Sequence, residues 1–181
     1  MYGMVNKFFK EVITESHGLD KWNAISRSAG LDTDEFVSMQ QYADDVSYRI
    51  VDAATQELDV AASDLLYSLG ELWIERTSKG DYKHLYGLYG NSLVELMQNL
   101  NTLHLSVSQS MPELKPPSFK CTEVTSGSFR LHYYSDRPGL APFVQGLISG
   151  VARLFQTDVE VRHEEAKVDG SDHDVFHVTI L

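Results

Sequence analysis

His104 lies on the apolar stripe of a helical stretch, seven residues after Met97 and four after Leu100. A neutral imidazole in such a setting has two uses. It can donate to a carbonyl or carboxylate as an ordinary core residue, or it can offer a ring nitrogen to a metal, for which that nitrogen must be deprotonated and shielded from water. A second set of polar groups occurs in "LHYYSDRPGLAPF", residues 131–143, where Tyr133, Ser135 and Arg137 alternate along the chain. In an extended segment, residues two and four apart share a face, so the three continue the side that carries Phe129 and Leu131. Arginine supplies a planar fork suited to a carboxylate, and each hydroxyl adds one donor. Such donors at the margin of an apolar face suit a ligand with a greasy body and an anionic end. An internal carboxylate competes equally well, with Asp136 and Asp45 as the nearest candidates for an exposed pair of small energetic value.

The elements that must hold these groups fall into two regimes. Up to about residue 110 apolar residues recur at helical spacing, in one stripe of Val5, Phe8, Phe9, Val12 and Ile13 and another of Leu65, Leu66, Leu69, Leu72 and Trp73. Gly18, Gly30 and Gly90 punctuate this half where helices should stop. After Gly90, Ser92 and Glu95 make a capping-box pattern, and one helix is predicted with Leu93, Met97, Leu100, His104 and Val107 on a single face. The prolines of "PELKPPSF", Pro112, Pro116 and Pro117, end it. Beyond them the period becomes two. A strand with Phe119 and Cys121 turns at Ser126-Gly127 into one where Phe129, Leu131 and Tyr133 alternate with Arg130, His132 and Tyr134. A helix follows from about Gly139 to Phe155, and strands at 159–163 and 175–180 flank an Asp169-Gly170 turn. Helices first, then an antiparallel four-stranded sheet with one helix inserted, define an α+β fold. No internal repeat or low-complexity tract interrupts it.

Bulk properties narrow the function classes. The 181 residues suffice for one substantial core, and a formal charge of -11 opposes binding to nucleic acid or an anionic membrane. No apolar run approaches a membrane span, and "MYGMVNKFFKEV" lacks the features of a secretory signal, so a cytoplasmic protein without a membrane anchor is expected. The single cysteine, Cys121, excludes an internal disulfide and is expected to be a buried strand thiol. Taken together, His104 and the Tyr133, Ser135 and Arg137 donors suit haem, an apolar macrocycle with an iron and two propionates. His17, His84, His132, His163, His173 and His177 show no metal-ligand spacing supported by a second signal, although His163 and His177 could meet across the last hairpin.

The sequence resembles the haem-nitric oxide/oxygen-binding (H-NOX) domains, which are similar to the haem domain of soluble guanylate cyclases. The resemblance runs from "MYGMVNKF" through "LHLSVSQSMPELKPPSF" to "FHVTIL", and its most specific mark is Tyr-x-Ser-x-Arg, here "YYSDR". It implies one haem-binding domain over 1–181, with a helical subdomain at about 1–60 and a haem-proximal one at 61–181. It further implies haem b, with His104 as proximal iron ligand and propionates on Tyr133, Ser135 and Arg137. Pro117 would lie against the porphyrin and distort it. On the distal side, oxygen-binding members use a tyrosine hydroxyl, whereas the corresponding position here is Phe143. An apolar pocket withholds the hydrogen bond that bound oxygen needs, which favours nitric oxide, with carbon monoxide also expected to bind. Val5, Phe9, Trp73 and Leu147 are candidates for the rest of that pocket, each equally at home in an ordinary core; an indole donor at Trp73 would instead favour oxygen.

These readings predict a sensor rather than an enzyme. Loss of the His104–iron bond would free its helix, shifting a two-state equilibrium of a few kcal/mol. With no room before Leu181 for an output domain, the expected partner is a separate protein, a histidine kinase or a cyclic-di-GMP enzyme of the kind that stand-alone bacterial members regulate. The rival classes are a haem peroxidase, which needs a polar distal base not evident around Phe143, and a haem-free interaction module in which His104 and Arg137 are structural.

Overall fold

The change of hydrophobic period at the proline-rich stretch is the change from helices to sheet. The computed structural model describes residues 1–33, 35–80, 83–167 and 170–181. Among the described residues seven helices come first: α1 (Gly3–His17), α2 (Leu19–Ser28), α3 (Asp44–Leu58), α4 (Ala62–Lys79), α5 (Lys83–Tyr89), α6 (Leu93–Gln98) and α7 (Leu100–Ser110). Then follow β1 (Ser118–Thr122), β2 (Ser128–Tyr134), α8 (Ala141–Leu154), β3 (Val159–Glu165) and β4 (Asp174–Ile180). The architecture is the expected α+β one, a helical half followed by a four-stranded antiparallel sheet in the order β1-β2-β4-β3 with α8 inserted. The chain divides into two units, Met1–Leu69 and Gly70–Leu181, with the division inside α4.

In the first unit α1, α2 and α3 pack together. Phe8, Phe9, Val12 and Ile13 of the predicted α1 stripe are buried, as are Trp22, Ile25 and Ile50. Gly18 ends α1 with φ 86°, a conformation that costs glycine nothing, and its N–H closes the last turn on the Thr14 carbonyl. Between α1 and α3 the fully buried Asn6 accepts a 2.6 Å hydrogen bond from the Ser47 hydroxyl.

In the second unit the inner face of the sheet presents Phe129, Leu131, Tyr133, Phe176 and Val178. With Leu93, Leu96 and Met97 of α6 and Val144, Ile148 and Val151 of α8 they form one core. The period-two pattern of β2 is obeyed to the residue: Phe129, Leu131 and Tyr133 are buried, and the residues between them are half-exposed. Two glycines allow α4 and α8 to touch backbone to backbone. A Cβ on Gly70 would lie 2.3 Å from the Phe143 carbonyl oxygen, and one on Gly150 would lie 2.9 Å from Ile74 Cβ. The helix carrying Trp73 is thereby pressed against the one carrying Phe143 and Leu147.

Two local expectations need correction. The predicted single helix from Ser92 through Val107 is two, broken at Asn99, whose backbone lies at φ -99°, ψ 7°. The Asn99 side chain donates to the Tyr89 carbonyl at 2.9 Å, a tertiary bond that holds Asn99 in its non-helical place. The capping box forms in altered shape: Glu95 N–H donates to Ser92 Oγ at 3.3 Å, while the Glu95 carboxylate accepts from Asn91 N–H instead of Ser92 N–H. The second correction concerns the segment after Tyr134, which is not extended. The strand stops there and Ser135 Oγ accepts from Arg137 N–H at 3.1 Å, closing a local turn. Of the expected Asp169-Gly170 turn, Asp169 lies outside the described residues, and Gly170 has φ 94°.

Candidate haem site

Helix α7 carries His104, and its ring chemistry is decided by the helix itself. His104 Nδ1 lies 2.7 Å from the Leu100 carbonyl oxygen one turn back. A carbonyl only accepts, so Nδ1 holds the proton and Nε2 keeps its lone pair. Burial, only partly opposed by that bond, lowers the pKa below the ordinary imidazole value, which keeps the ring neutral. A neutral imidazole with its second nitrogen available, oriented by a backbone carbonyl, is the form in which histidine binds a metal. The remaining polar groups fit haem through the chemistry of their donor set.

The ring of His104 stacks on Phe119 of β1, with centroids 5.5 Å apart and planes within 19°, and Phe119 in turn packs on Tyr133 at 5.6 Å. The two sequence sets are therefore joined through one aromatic residue. Tyr133 is buried, and burial raises its pKa, opposed by a hydrogen bond to the Ser135 side chain and by the Arg137 charge. It stays a neutral phenol that can donate. Ser135 and Arg137 come to Tyr133 through the turn rather than by strand alternation. Arg137 Nη1 donates to the Lys115 carbonyl at 2.9 Å, which ties the donor set to the proline-rich loop that contains half-buried Pro117. Of the acids weighed as partners for Arg137, Asp45 is engaged by Arg49 at 2.8 Å.

The predicted distal residues are distributed over both units. Phe143 and Leu147 lie one turn apart on α8, both half-buried, and half-buried Trp73 lies on α4. Trp73 and Leu147 pack against the core of the second unit, the ordinary role weighed for them. Val5 is half-buried and Phe9 fully buried on α1 of the first unit.

Three features escaped the sequence reading. Asn101, one turn before His104, clamps the free edge of β1: its Nδ2 donates to the Phe119 carbonyl at 2.8 Å and its Oδ1 accepts from Phe119 N–H at 2.9 Å. The only signal was an asparagine in mid-helix, where it is a poor helix former. Ser106 on α7 bonds the Tyr89 hydroxyl of α5. Lys167, beyond β3, donates from Nζ to the Ser135 carbonyl at 2.6 Å.

Four other histidines, His132, His163, His173 and His177, find polar partners. On the outer face of the sheet Thr122, His132, His173 and Asp172 form a hydrogen-bonded chain, with 2.8 Å between His132 Nδ1 and His173 Nε2. His163 bonds Asp174 at 2.9 Å and His177 bonds Arg162 at 3.0 Å, so the last hairpin does not join these two to each other. Among the described residues no group of three or more histidine, cysteine, aspartate or glutamate side chains is placed to hold a metal ion. Cys121, half-buried on β1, has its pKa raised by burial to about 11, which makes it an unreactive thiol at neutral pH.

A family model described as haem-NO-binding matches residues 2–163. The chain belongs to the haem-NO-binding family. As a member it is a haem-binding gas-sensor domain, related to soluble guanylate cyclases, and not a catalytic one. The soluble guanylate cyclase gcy-37 of Caenorhabditis elegans is 31% identical over 98% of this chain and 26% of its own length. Guanylate cyclase soluble subunit beta-2 of Rattus norvegicus is 34% identical over 63% of this chain and 18% of its own length. This haem-NO-binding chain thus spans about a quarter of the leading curated relatives it matches. The same fold occurs in an H-NOX protein from S. oneidensis in the Fe(II)NO state, with TM-score 0.89 and 20% identity covering 100% of this chain and 99% of that one. An unliganded Fe(II) H-NOX protein from K. algicida gives TM-score 0.90 at 22% identity, covering 100% of this chain and 97% of that one. Among the described residues no helix is long and apolar enough to cross a membrane.

Proposed function

We propose that this chain senses nitric oxide at ferrous haem b and signals by releasing His104 from the iron. The observation that carries the proposal is the 2.7 Å approach of His104 Nδ1 to the Leu100 carbonyl oxygen, from which it follows that Nδ1 donates and Nε2 keeps the lone pair. When bound, haem would supply an iron able to take a diatomic gas. His104 would hold the iron, Tyr133, Ser135 and Arg137 would hold the propionates, and Pro117 would bear on the porphyrin. Phe143 withholds the hydrogen bond that oxygen would need, and Leu147 and Trp73 keep the distal side apolar.

The output follows from how α7 is attached. No residue of α7 is fully buried, so its place depends on a few directional contacts of Asn101, His104 and Ser106. Without an iron bond at His104, those contacts alone would hold the helix, and a second position a few kcal/mol away would become accessible to it. A separate bacterial cytoplasmic partner, a histidine kinase or a cyclic-di-GMP enzyme, reads the displacement. Carbon monoxide binds the same site.

The test is the absorption spectrum of the ferrous protein, first in air and then with nitric oxide. The expected result is an unliganded ferrous Soret band that persists in air and shifts with nitric oxide. Prompt, stable oxygen binding would instead assign an oxygen sensor and transfer the decisive role to a donor such as the Trp73 indole.

A further inference from the structure

Haem presents two carboxylates, whereas Tyr133, Ser135 and Arg137 together supply one positive charge. Within a chain of formal charge -11 a dianionic ligand meets unfavourable long-range potential, so its local counter-charges matter. The tertiary structure brings a second cation to the donor set. Lys167 Nζ donates to the backbone carbonyl of Ser135 at 2.6 Å, in a part-buried position. An ammonium has three donors, and this bond uses one.

The surroundings leave that charge available. The nearby carboxylate of Asp174 turns Oδ1 to the Lys167 backbone N–H at 3.2 Å and to His163 Nε2 at 2.9 Å. Asp172, whose pKa Lys167 helps to lower, is held by His173. Among the described residues the Lys167 ammonium forms no ion pair with a carboxylate. Its backbone is fixed by Asp174 at the start of β4, while its head reaches the turn that positions the Ser135 hydroxyl.

We propose that Lys167 is the second cation of the propionate clamp, so that Arg137 and Lys167 match the two haem carboxylates charge for charge. The inference rests on the haem reading above. Lys167→Gln keeps an N–H donor for the Ser135 carbonyl and removes only the charge, and Lys167→Arg keeps both. The readout is the rate at which each holoprotein loses haem to excess apomyoglobin. At low salt the Gln variant should lose haem about tenfold faster than wild type and the Arg variant at nearly the wild-type rate. Salt at roughly 0.5 M should narrow the gap, and haem dimethyl ester, which has no carboxylates, should abolish it. Equal wild-type and Gln rates with natural haem would overturn the proposal. So would an equal acceleration with the dimethyl ester, which would make Lys167 a structural tether for Ser135. A wild-type chain that stays colourless with haem sinks the haem reading and this proposal together; a coloured wild type with an unaffected Gln variant sinks this one alone.

Discussion

Helices α6 and α7 are neighbours in sequence, separated by Asn99, yet they are held in opposite ways. Three of the six residues of α6, Leu93, Leu96 and Met97, are buried in the core of the second unit. None of the eleven residues of α7 is buried: Leu100 and Leu103 rest on the edge of that core, and polar and aromatic contacts do the rest. Apolar burial is non-directional and gains steadily with area, so it fixes α6 in one packed position. A few hydrogen bonds of about 1 kcal/mol each hold a helix equally well in place but release it when one strong bond is lost. Under the proposed mechanism the sensor element is the directionally bonded helix, and the packed one beside it is its anchor.

The largest test of that contrast is His104→Gly, which should abolish the iron–histidine stretching band of the ferrous protein while leaving its far-ultraviolet circular dichroism unchanged. A surviving band would place the iron ligand elsewhere. On the anchor side, Leu96→Ala should destabilise the fold by about 3 kcal/mol in urea unfolding, as expected for truncating a fully buried leucine. If it costs less than Asn101→Ala, the contrast between the helices is wrong. Asn101→Ala removes both bonds to Phe119 and should cost about 2 kcal/mol, but it should also shift the iron–histidine frequency, which Leu96→Ala should not. The cap variant Ser92→Ala loses the bond from Glu95 N–H and should cost about 1 kcal/mol with no spectral change.

The smallest expected effect probes directional bonding away from both helices. Burial, then the charges of His173 and Lys120, lower the pKa of His132 below 6.5; Arg130 acts the same way and Glu165 opposes them. Protonation therefore favours the unfolded chain. The contribution of His132 is complete above pH 6.5 and is lost as the pH falls below that value toward the folded pKa. His132→Gln should flatten the decline in melting temperature between about pH 7 and 5. An unchanged slope would show that the chain of Thr122, His132, His173 and Asp172 does not titrate with folding.

Much of this was legible in one dimension. The period-two alternation of Phe129, Leu131 and Tyr133, the α1 stripe and the proline break are local consequences of which faces must be buried, and they specify strands and helices without knowledge of the partners. His104 and the Tyr-x-Ser-x-Arg set were visible because their types and spacing carry chemistry and a family resemblance. The break at Asn99 was not, since it depends on the Tyr89 carbonyl ten residues away. Nor was the turn that gathers Ser135 and Arg137 beside Tyr133, because a short polar segment satisfies either an extended chain or its own backbone.

What the order of residues settled, then, was the alternation of elements; it also singled out the side chains proposed for iron and carboxylate. Only folding decided the tautomer of His104, the Phe119 stack that links it to Tyr133, and the approach of Asn101 and Lys167. Burial patterns are properties of a segment and repeat along it. Hydrogen bonds between residues 18 or 32 positions apart exist only once the segments between them have taken their places.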